Sequence, residues 1–289
     1  MSDRYDAGAS EPLAMPSPPS SGPDLVLQGR SFNLTFNEEF DQLDISPWEA
    51  PLTRWTAPPT GQFGDAHFRS YANPDRPYTV QRIDGRNMLR IEAWAEASTG
   101  LPWSSGAIQT VQGRTWGDNG GNGFSQVGGY WETRMKLPPG AGCWPSFWLR
   151  SLEFVQNGKD KHGEIDIFEH WGGEPDAIYI NVHRWGRHGQ HYAPPGRNYV
   201  ALANGEFHQD FHRFGCWIDE AARQLKFYVD RVLQPDVTVD IGDKSKLAWL
   251  QGRSWFPVLS LAVDLKNGTP PSPSYLLVDY VKAYKEKLL

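Results

Sequence analysis

The chain has 289 residues, 39% of them hydrophobic, and a formal net charge of -6. That content excludes a wholly disordered chain, and the charge leaves no basic excess to displace phosphate counterions, which argues against nucleic acid as a partner. No apolar run approaches the length of a membrane span. Two cysteines, Cys143 and Cys216, make neither a disulfide framework nor a common zinc pattern; they pair, or they stand as small apolar strand residues.

Residues 1–24, rich in Ser, Pro and Ala, lack the basic start and apolar stretch of a Sec-type signal peptide. They read as a disordered leader, with 25–289 as a single domain. Ordered structure is expected from Leu25–Gly29. Ser31–Phe36 alternates Phe32, Leu34 and Phe36 against polar residues, a half-buried strand. Asn37–Asp41 is an acidic turn, and Ile45–Trp48 follows. Thr53–Asn73 is rich in Gly, Pro and aromatics and reads as irregular. Val80–Ile83 and Met88–Ala93 form a hairpin across Asp84-Gly85, a pair that supplies the positive φ of a tight turn.

Ala107–Gln112 is a further strand. Gly117–Gly129 holds six glycines and reads as a mobile loop at a cleft rim. Without a Lys-Ser/Thr ending or a following helix it does not cradle phosphate. Tyr130–Leu137 alternates cleanly, Pro138-Pro139-Gly140 turns, and Cys143–Leu149 is a strand whose Trp144 and Trp148, four apart, share a face.

The next stretch, Gly163–Trp171, reads Gly-Glu-Ile-Asp-Ile-Phe-Glu-His-Trp. In a regular strand Glu164 and Asp166 share a face and Glu169, at an odd offset, takes the other. One bulge within Ile167–Phe168 restores parity and brings all three acids together. Three acids on a core face would be heavily penalised, so they line a wet cleft or an exposed surface. Paired carboxylates on one face are what glycoside hydrolysis requires. One protonates the leaving oxygen, and the other attacks the sugar or activates water. Backbones roughly 13 Å apart allow inward-leaning Glu side chains to reach the ~5–5.5 Å spacing of retaining enzymes.

In Ala177–His183, Ile178, Ile180 and Val182 share one face, and Tyr179, Asn181 and His183 the other. His183 therefore either looks into the cleft of the acids or is structural. Arg184–Ala203 is a polar loop. Phe211–Trp217 and Leu225–Val232 form a hairpin across Ile218–Gln224, although Asp219–Gln224 has good helix formers. Asp243–Gln251 is expected to be a short helix, and Phe256–Val263 and Tyr275–Lys285 are closing strands. Ten or more strands without a βαβ rhythm, and with 29 Gly and 23 Pro for turns, imply an all-β fold. The expected form is a two-sheet antiparallel β-sandwich of jelly-roll, concanavalin A-like type with a concave cleft. Thirteen Trp are either core or platforms for sugar faces.

The residues together resemble glycoside hydrolase family 16, in the branch whose signature is Glu-x-Asp-x-x-Glu, here Glu164, Asp166 and Glu169. Gly129–Lys136, Trp144-Pro145-Ser146-Phe147-Trp148-Leu149, Phe227-Tyr228-Val229-Asp230 and Val278–Tyr284 also look like family blocks, in family order across roughly 31–285. The resemblance implies an endo-acting hydrolase that cleaves internal β-linkages of a polysaccharide with retention. Glu164 would be its nucleophile and Glu169 its acid/base, with Asp166 between them. Two carboxylate neighbours would push the Glu169 pKa up.

By the same resemblance Trp144, Trp148, Trp171 and His183 line the sugar subsites. Asn181, Trp116 and Trp103 are rim positions, and Tyr71 and Arg76 belong to a more distant subsite. There the chain departs from the family, with Thr79 ahead of the Asp-Gly turn instead of Asn. A structural calcium is implied at Glu38 or Glu39, the Gly85 carbonyl and Asp279; the chemistry needs no cofactor. His183 followed by Trp185-Gly186 is most like the laminarinases, so the expected substrate is β-1,3- or mixed β-1,3-1,4-glucan. A bacterial exopolysaccharide or agar-type galactan, and transglycosylation, remain as alternatives, with a non-catalytic binding module more remote. A monomer acting outside the cell or in the periplasm is expected, although no signal peptide is visible.

Overall fold

A computed structural model describes residues 24–47, 53–57, 61–70, 76–96, 100–112, 122–156, 162–186, 190–192 and 198–287. The leader through residue 23, Tyr71, Trp116 and the first five residues of the glycine-rich Gly117–Gly129 stretch fall outside them; the rest of that stretch contains the short strands Asn122–Gly123 and Gln126–Val127.

The alternating segments pair into two layers. Ser274–Glu286 lies central in one, antiparallel to Gly129–Lys136 on one side and to Arg86–Ala95 and Arg30–Glu38 on the other. His212–Asp219 and Gln224–Val229 extend that layer beyond Gly129–Lys136. In the second layer Ser254–Val263 pairs with Trp103–Gln109 and with Cys143–Ser151, and Gly163–Glu169 and Ala177–Arg184 follow in order. Pairing of Trp94 with Ser104 and of Ala95 with Trp103 joins the layers at an edge. Among the described residues this is the expected antiparallel jelly-roll architecture, its two layers continuous in one curled sheet of 22 strands, with Val111–Gln112 and Asn122–Gly123 as a separate pair.

The core lies between the layers because the apolar members of each alternation face inward. Leu89 and Ile91, Trp131 and Met135, Phe147 and Leu149, and Ile178, Ile180 and Val182 all belong to it. Each such side chain contributes roughly 1.5–3 kcal/mol when removed from water. The opposite face of the second layer is the one left for a site. At one end it is closed by a smaller apolar cluster of Val111, Trp148, Phe154, Val155, Phe256 and Val258, where the helix Glu153–Gln156 lies.

Several expectations are corrected. The segment expected to be irregular contains Trp55–Ala57, Gly61–Phe63 and Ala66–Phe68, the last held parallel to Trp103–Gln109. The polar loop after Arg184 adds Gln190–Tyr192 and Tyr199–Ala201 to the edge of Ala177–Arg184. Asp243–Gln251 is not an α-helix. Only Ala248–Leu250 coils, as a 3-10 turn, because Ser245 bonds the Asp240 carbonyl and the Leu247 N–H and sets a tighter bend. The hairpin expected across Ile218–Gln224 is present, with its turn at 220–223, where Asp219 accepts from the Ala222 N–H and Arg223 sits at φ 56°, outside helical space. The Asp84-Gly85 hairpin has φ of 50° and 80°, as that pair requires. Cys143 and Cys216 are both buried free thiols.

Candidate active site

The site is built on the bulge. Trp148 pairs with Asp166 and Phe147 with Phe168, so Ile167 is one residue too many against Cys143–Ser151. On the other side Asp166 pairs with Asn181 and Glu169 with Tyr179, again with one residue in excess. Ile167 and Phe168 both turn into the core, where the Phe168 ring lies 4.1 Å from that of Phe214. Glu169 is thereby returned to the face of Glu164 and Asp166.

All three acids line a cavity of about 340 Å³ with Phe63, Trp144, Ser146, Trp148, Asn181, His183, Trp185, Ser260 and Ala262. Trp144 Nε1 donates to Glu169 Oε1 at 3.0 Å, and Asn181 Nδ2 donates to Glu169 Oε2 at 2.6 Å. His183 Nε2 lies 3.1 Å from Asp166 Oδ2, and its ring stacks on Trp185 at 5.3 Å. Burial pushes the Glu169 pKa up; Glu164 adds to the rise, while the hydrogen bonds from Asn181 and Trp144 oppose it. Burial is thus the main cause, with the carboxylate neighbour second, where the sequence argument rested on neighbours alone. Asp166 is raised well above the ordinary carboxylate range, first by burial and then by Glu169 and Glu164, with Arg150 opposing. A cluster so placed keeps protons on Asp166 and Glu169 where isolated carboxyls would have lost them.

The expected binding residues divide. Trp144 lines the cavity, and Trp171 stacks behind it, centroids 4.5 Å apart, without lining the cavity itself. Trp148 shows only an edge: it is 6% exposed, donates to Ser260 Oγ at 3.1 Å and packs in the apolar cluster. Asn181 is not at the rim but holds Glu169. Trp103 is core, 4% exposed, because both faces of its strand are covered. Arg76 does not line the cavity; it is paired with Glu92 at 3.3 Å and lies over the Trp94 ring. Phe63 and Ser260 were missed, in a Gly-rich stretch without periodicity and in an apolar strand. Arg150 was missed too, although its even offset from Trp144 and Trp148 already put it on the cleft face.

The implied calcium position is filled by cations of the chain. Asp279, 1% exposed, is bonded by Arg134 at 2.7 Å and approached by Arg86 at 2.8 Å. Glu39 is paired with Lys282 at 2.7 Å, and the pocket containing Glu39 and Gly85 is also lined by Arg82 and Arg86. Glu38 accepts from the Phe40 N–H and from Trp55 Nε1 and is paired with Arg54. A hard dication needs unclaimed oxygens, so this set does not fit one. Among the described residues, Glu164, Asp166 and His183 do have metal-like spacing, within 4.8 Å, but Arg150 already stands beside Glu164 at 3.7 Å.

Comparisons with known proteins agree with this geometry. Residues 109–246 match the glycosyl hydrolases family 16. The chain is 25% identical over 281 residues to endo-1,3-1,4-beta-glycanase EglC of Rhizobium meliloti, covering 90% of this chain and 53% of that protein. It is 26% identical over 284 residues to glucan endo-1,3-beta-glucosidase A1 of Niallia circulans, covering 88% and 38%. The chain therefore spans about half the length, or less, of these relatives. The fold is that of the endo-beta-1,3-glucanase from Pyrococcus furiosus, with a TM-score of 0.67 at 24% identity, 92% of this chain and 99% of that one. Bulge, acids, aromatic strand and sheet order agree with that match: over residues 109–246 the chain is similar to the glycosyl hydrolases family 16.

Proposed function

We propose that the chain is an endo-acting hydrolase of β-1,3- or mixed β-1,3-1,4-glucan that works with retention of configuration, as a monomer, outside the cell or in the periplasm. The observation that carries the mechanism is the grip on Glu169: both of its oxygens accept N–H donors, from Trp144 and Asn181, on the face that also holds Glu164. Glu164 attacks the anomeric carbon while protonated Glu169 delivers its proton to the departing oxygen. Glu169 is then anionic, and the same two N–H groups stabilise it as it takes a proton from the water that releases the glycosyl-enzyme. Asp166, buried between the two and in contact with His183, keeps their geometry. No metal is needed for either step.

The names of the similar proteins support glucan as the substrate class. The exposed ring of Trp185 and the half-exposed Phe63 offer apolar surfaces at the cavity, suited to the faces of glucosyl units. The test is a panel of laminarin, mixed-linkage glucan, agar-type galactan and bacterial exopolysaccharide. Products are mapped by length, and anomeric configuration is read by NMR in the first minutes. Internal cuts in a β-1,3-containing glucan, β-product first, and silent Glu164→Gln and Glu169→Gln variants are expected. Cleavage of galactan or exopolysaccharide alone would replace the substrate, and α-product first would replace the mechanism. Binding without cleavage would replace the enzyme by a binding module.

A further inference from the structure

The cleft face of Cys143–Ser151 continues past the two tryptophans to Arg150, whose Cα is paired with that of Glu164. The Arg150 side chain is only 12% exposed and its NH2 lies 3.7 Å from Glu164 Oε2. Its guanidinium lies 4.4 Å from the Trp148 ring centroid and 3.9 Å from that of Phe154. Those rings belong to the apolar cluster that closes this end of the cleft, so water is largely excluded from the gap between cation and carboxylate. Nε has no hydrogen-bond partner among the described residues. A buried arginine so placed is an expensive device unless its charge is used. Burial pulls the Arg150 pKa down to about 10, with Glu164 and Asp166 opposing, so the group is cationic wherever carboxyl chemistry runs.

Among the described residues, four titratable groups face Glu164. Arg150 comes from one neighbouring strand and His183 from the other, while Asp166 and Glu169 lie on its own. Three of the cluster's members are acids, and only one can be the anion that attacks while Glu169 holds a proton. The cation stands on the Glu164 side of the cluster.

We propose that Arg150 is a positioning residue for the reaction assigned above, selecting Glu164 as the carboxylate that carries the cluster's negative charge and holding its oxygens in place for attack. This rests on the reading of Glu164 as nucleophile. Arg150 is not among the residues that line the cavity. Its removal therefore slows formation of the glycosyl-enzyme and leaves proton delivery by Glu169 untouched.

The experiment uses an aryl β-glucan oligosaccharide whose phenolate leaves without protonation, so that release reports attack by Glu164 alone. Release is followed against pH in the wild type, Arg150→Met and Arg150→Lys, with laminarin hydrolysis by the wild type as control. In Arg150→Met the acid limb is expected to move up by about one pH unit or more, since an adjacent opposite charge favours a carboxylate anion by ~1–3 units. The rate at the optimum falls roughly tenfold or more, KM changes little, and Arg150→Lys recovers part of both. An unmoved acid limb in a folded Arg150→Met with an active wild type overturns the proposal. An inactive wild type overturns the parent reading instead. Should the variants not fold, the wild type decides. A water-excluded ion pair predicts an acid limb that stays in place between about 0.05 and 1 M salt, and a limb that moves as for an exposed carboxylate overturns the proposal.

Discussion

Asn181 Nδ2 donates to Glu169 Oε2 at 2.6 Å, and Asn181 Oδ1 in turn accepts from Asn198 Nδ2 at 3.3 Å. The amide is thus oriented from behind, and its N–H favours the ionised form of Glu169 against the burial that raises the pKa. Removing the donor shifts the balance further toward the acid. Asn181→Ala is therefore expected to move the alkaline limb of glucan hydrolysis to higher pH. It should also slow the step that needs anionic Glu169 by about tenfold or more, the worth of one hydrogen bond to a charge. Glycosyl-enzyme should accumulate, visible by mass spectrometry. An alkaline limb at or below the wild-type position would show that the amide does not tune this carboxyl.

Asp166 yields a stability prediction with a definite sign. Its pKa is raised in the folded chain, first by burial and then by Glu169 and Glu164. A raised carboxyl favours folding at low pH, where it is protonated in both states. That advantage is lost as pH rises through the folded value. Asp166→Asn, always neutral, should unfold at higher denaturant concentration than the wild type at neutral pH while losing activity. The gap should close as the pH falls toward the ordinary carboxylate range. A variant less stable than the wild type at neutral pH would mean that the His183 and Arg150 contacts outweigh desolvation.

How much of this was legible in the sequence depends on whether parity alone could decide. For Glu164, Asp166 and Glu169 it could: only one inserted residue reconciles three acids with one wet face, and Ile167 is that residue against Cys143–Ser151. His183 and Asn181 followed from the same alternation against Ile178, Ile180 and Val182. Trp103 did not, because Trp103–Gln109 is buried along its whole length and a strand covered on both faces carries no polarity signal. Pairing at Asp279 was hidden for another reason. Arg86 and Arg134 reach it from strands distant in sequence, and only sheet register shows which cation meets which acid. The layers' edge-to-edge closure through Trp94 and Ser104 has the same origin.

That register bears directly on calcium. Arg86, Arg134 and Lys282 occupy the oxygens of Asp279 and Glu39, and a dication would have to displace the half-exposed Arg86 and the more buried Arg134 from buried Asp279. Adding millimolar calcium, or a chelator, is expected to leave the melting temperature within about a degree, whereas a ligand present at 100 times its Kd would stabilise by ~2.7 kcal/mol. Arg134→Met, which strips buried Asp279 of one partner, should cost about 1–3 kcal/mol. A rise of several degrees with calcium would place an ion there after all.

The bulge itself can be tested by deletion, because its two flanks make opposite predictions. Ile167 is the residue in excess against Cys143–Ser151, and one of Ile167 and Phe168 is in excess against Ala177–Arg184. Deleting Ile167 leaves Asp166 and Glu169 two apart, the spacing at which a regular strand puts both on one face. The three acids then still share the cleft, while the core loses one large side chain at about 2–5 kcal/mol. Deleting Ile165 removes a comparable core side chain but makes Glu164 and Asp166 adjacent, which turns one of them into the core. Both deletions should destabilise, yet only the Ile167 deletion should keep measurable glucan hydrolysis below its lowered melting temperature. Equal activity in the two, or activity only after loss of Ile165, would mean that the acids share the cleft for a reason other than this bulge.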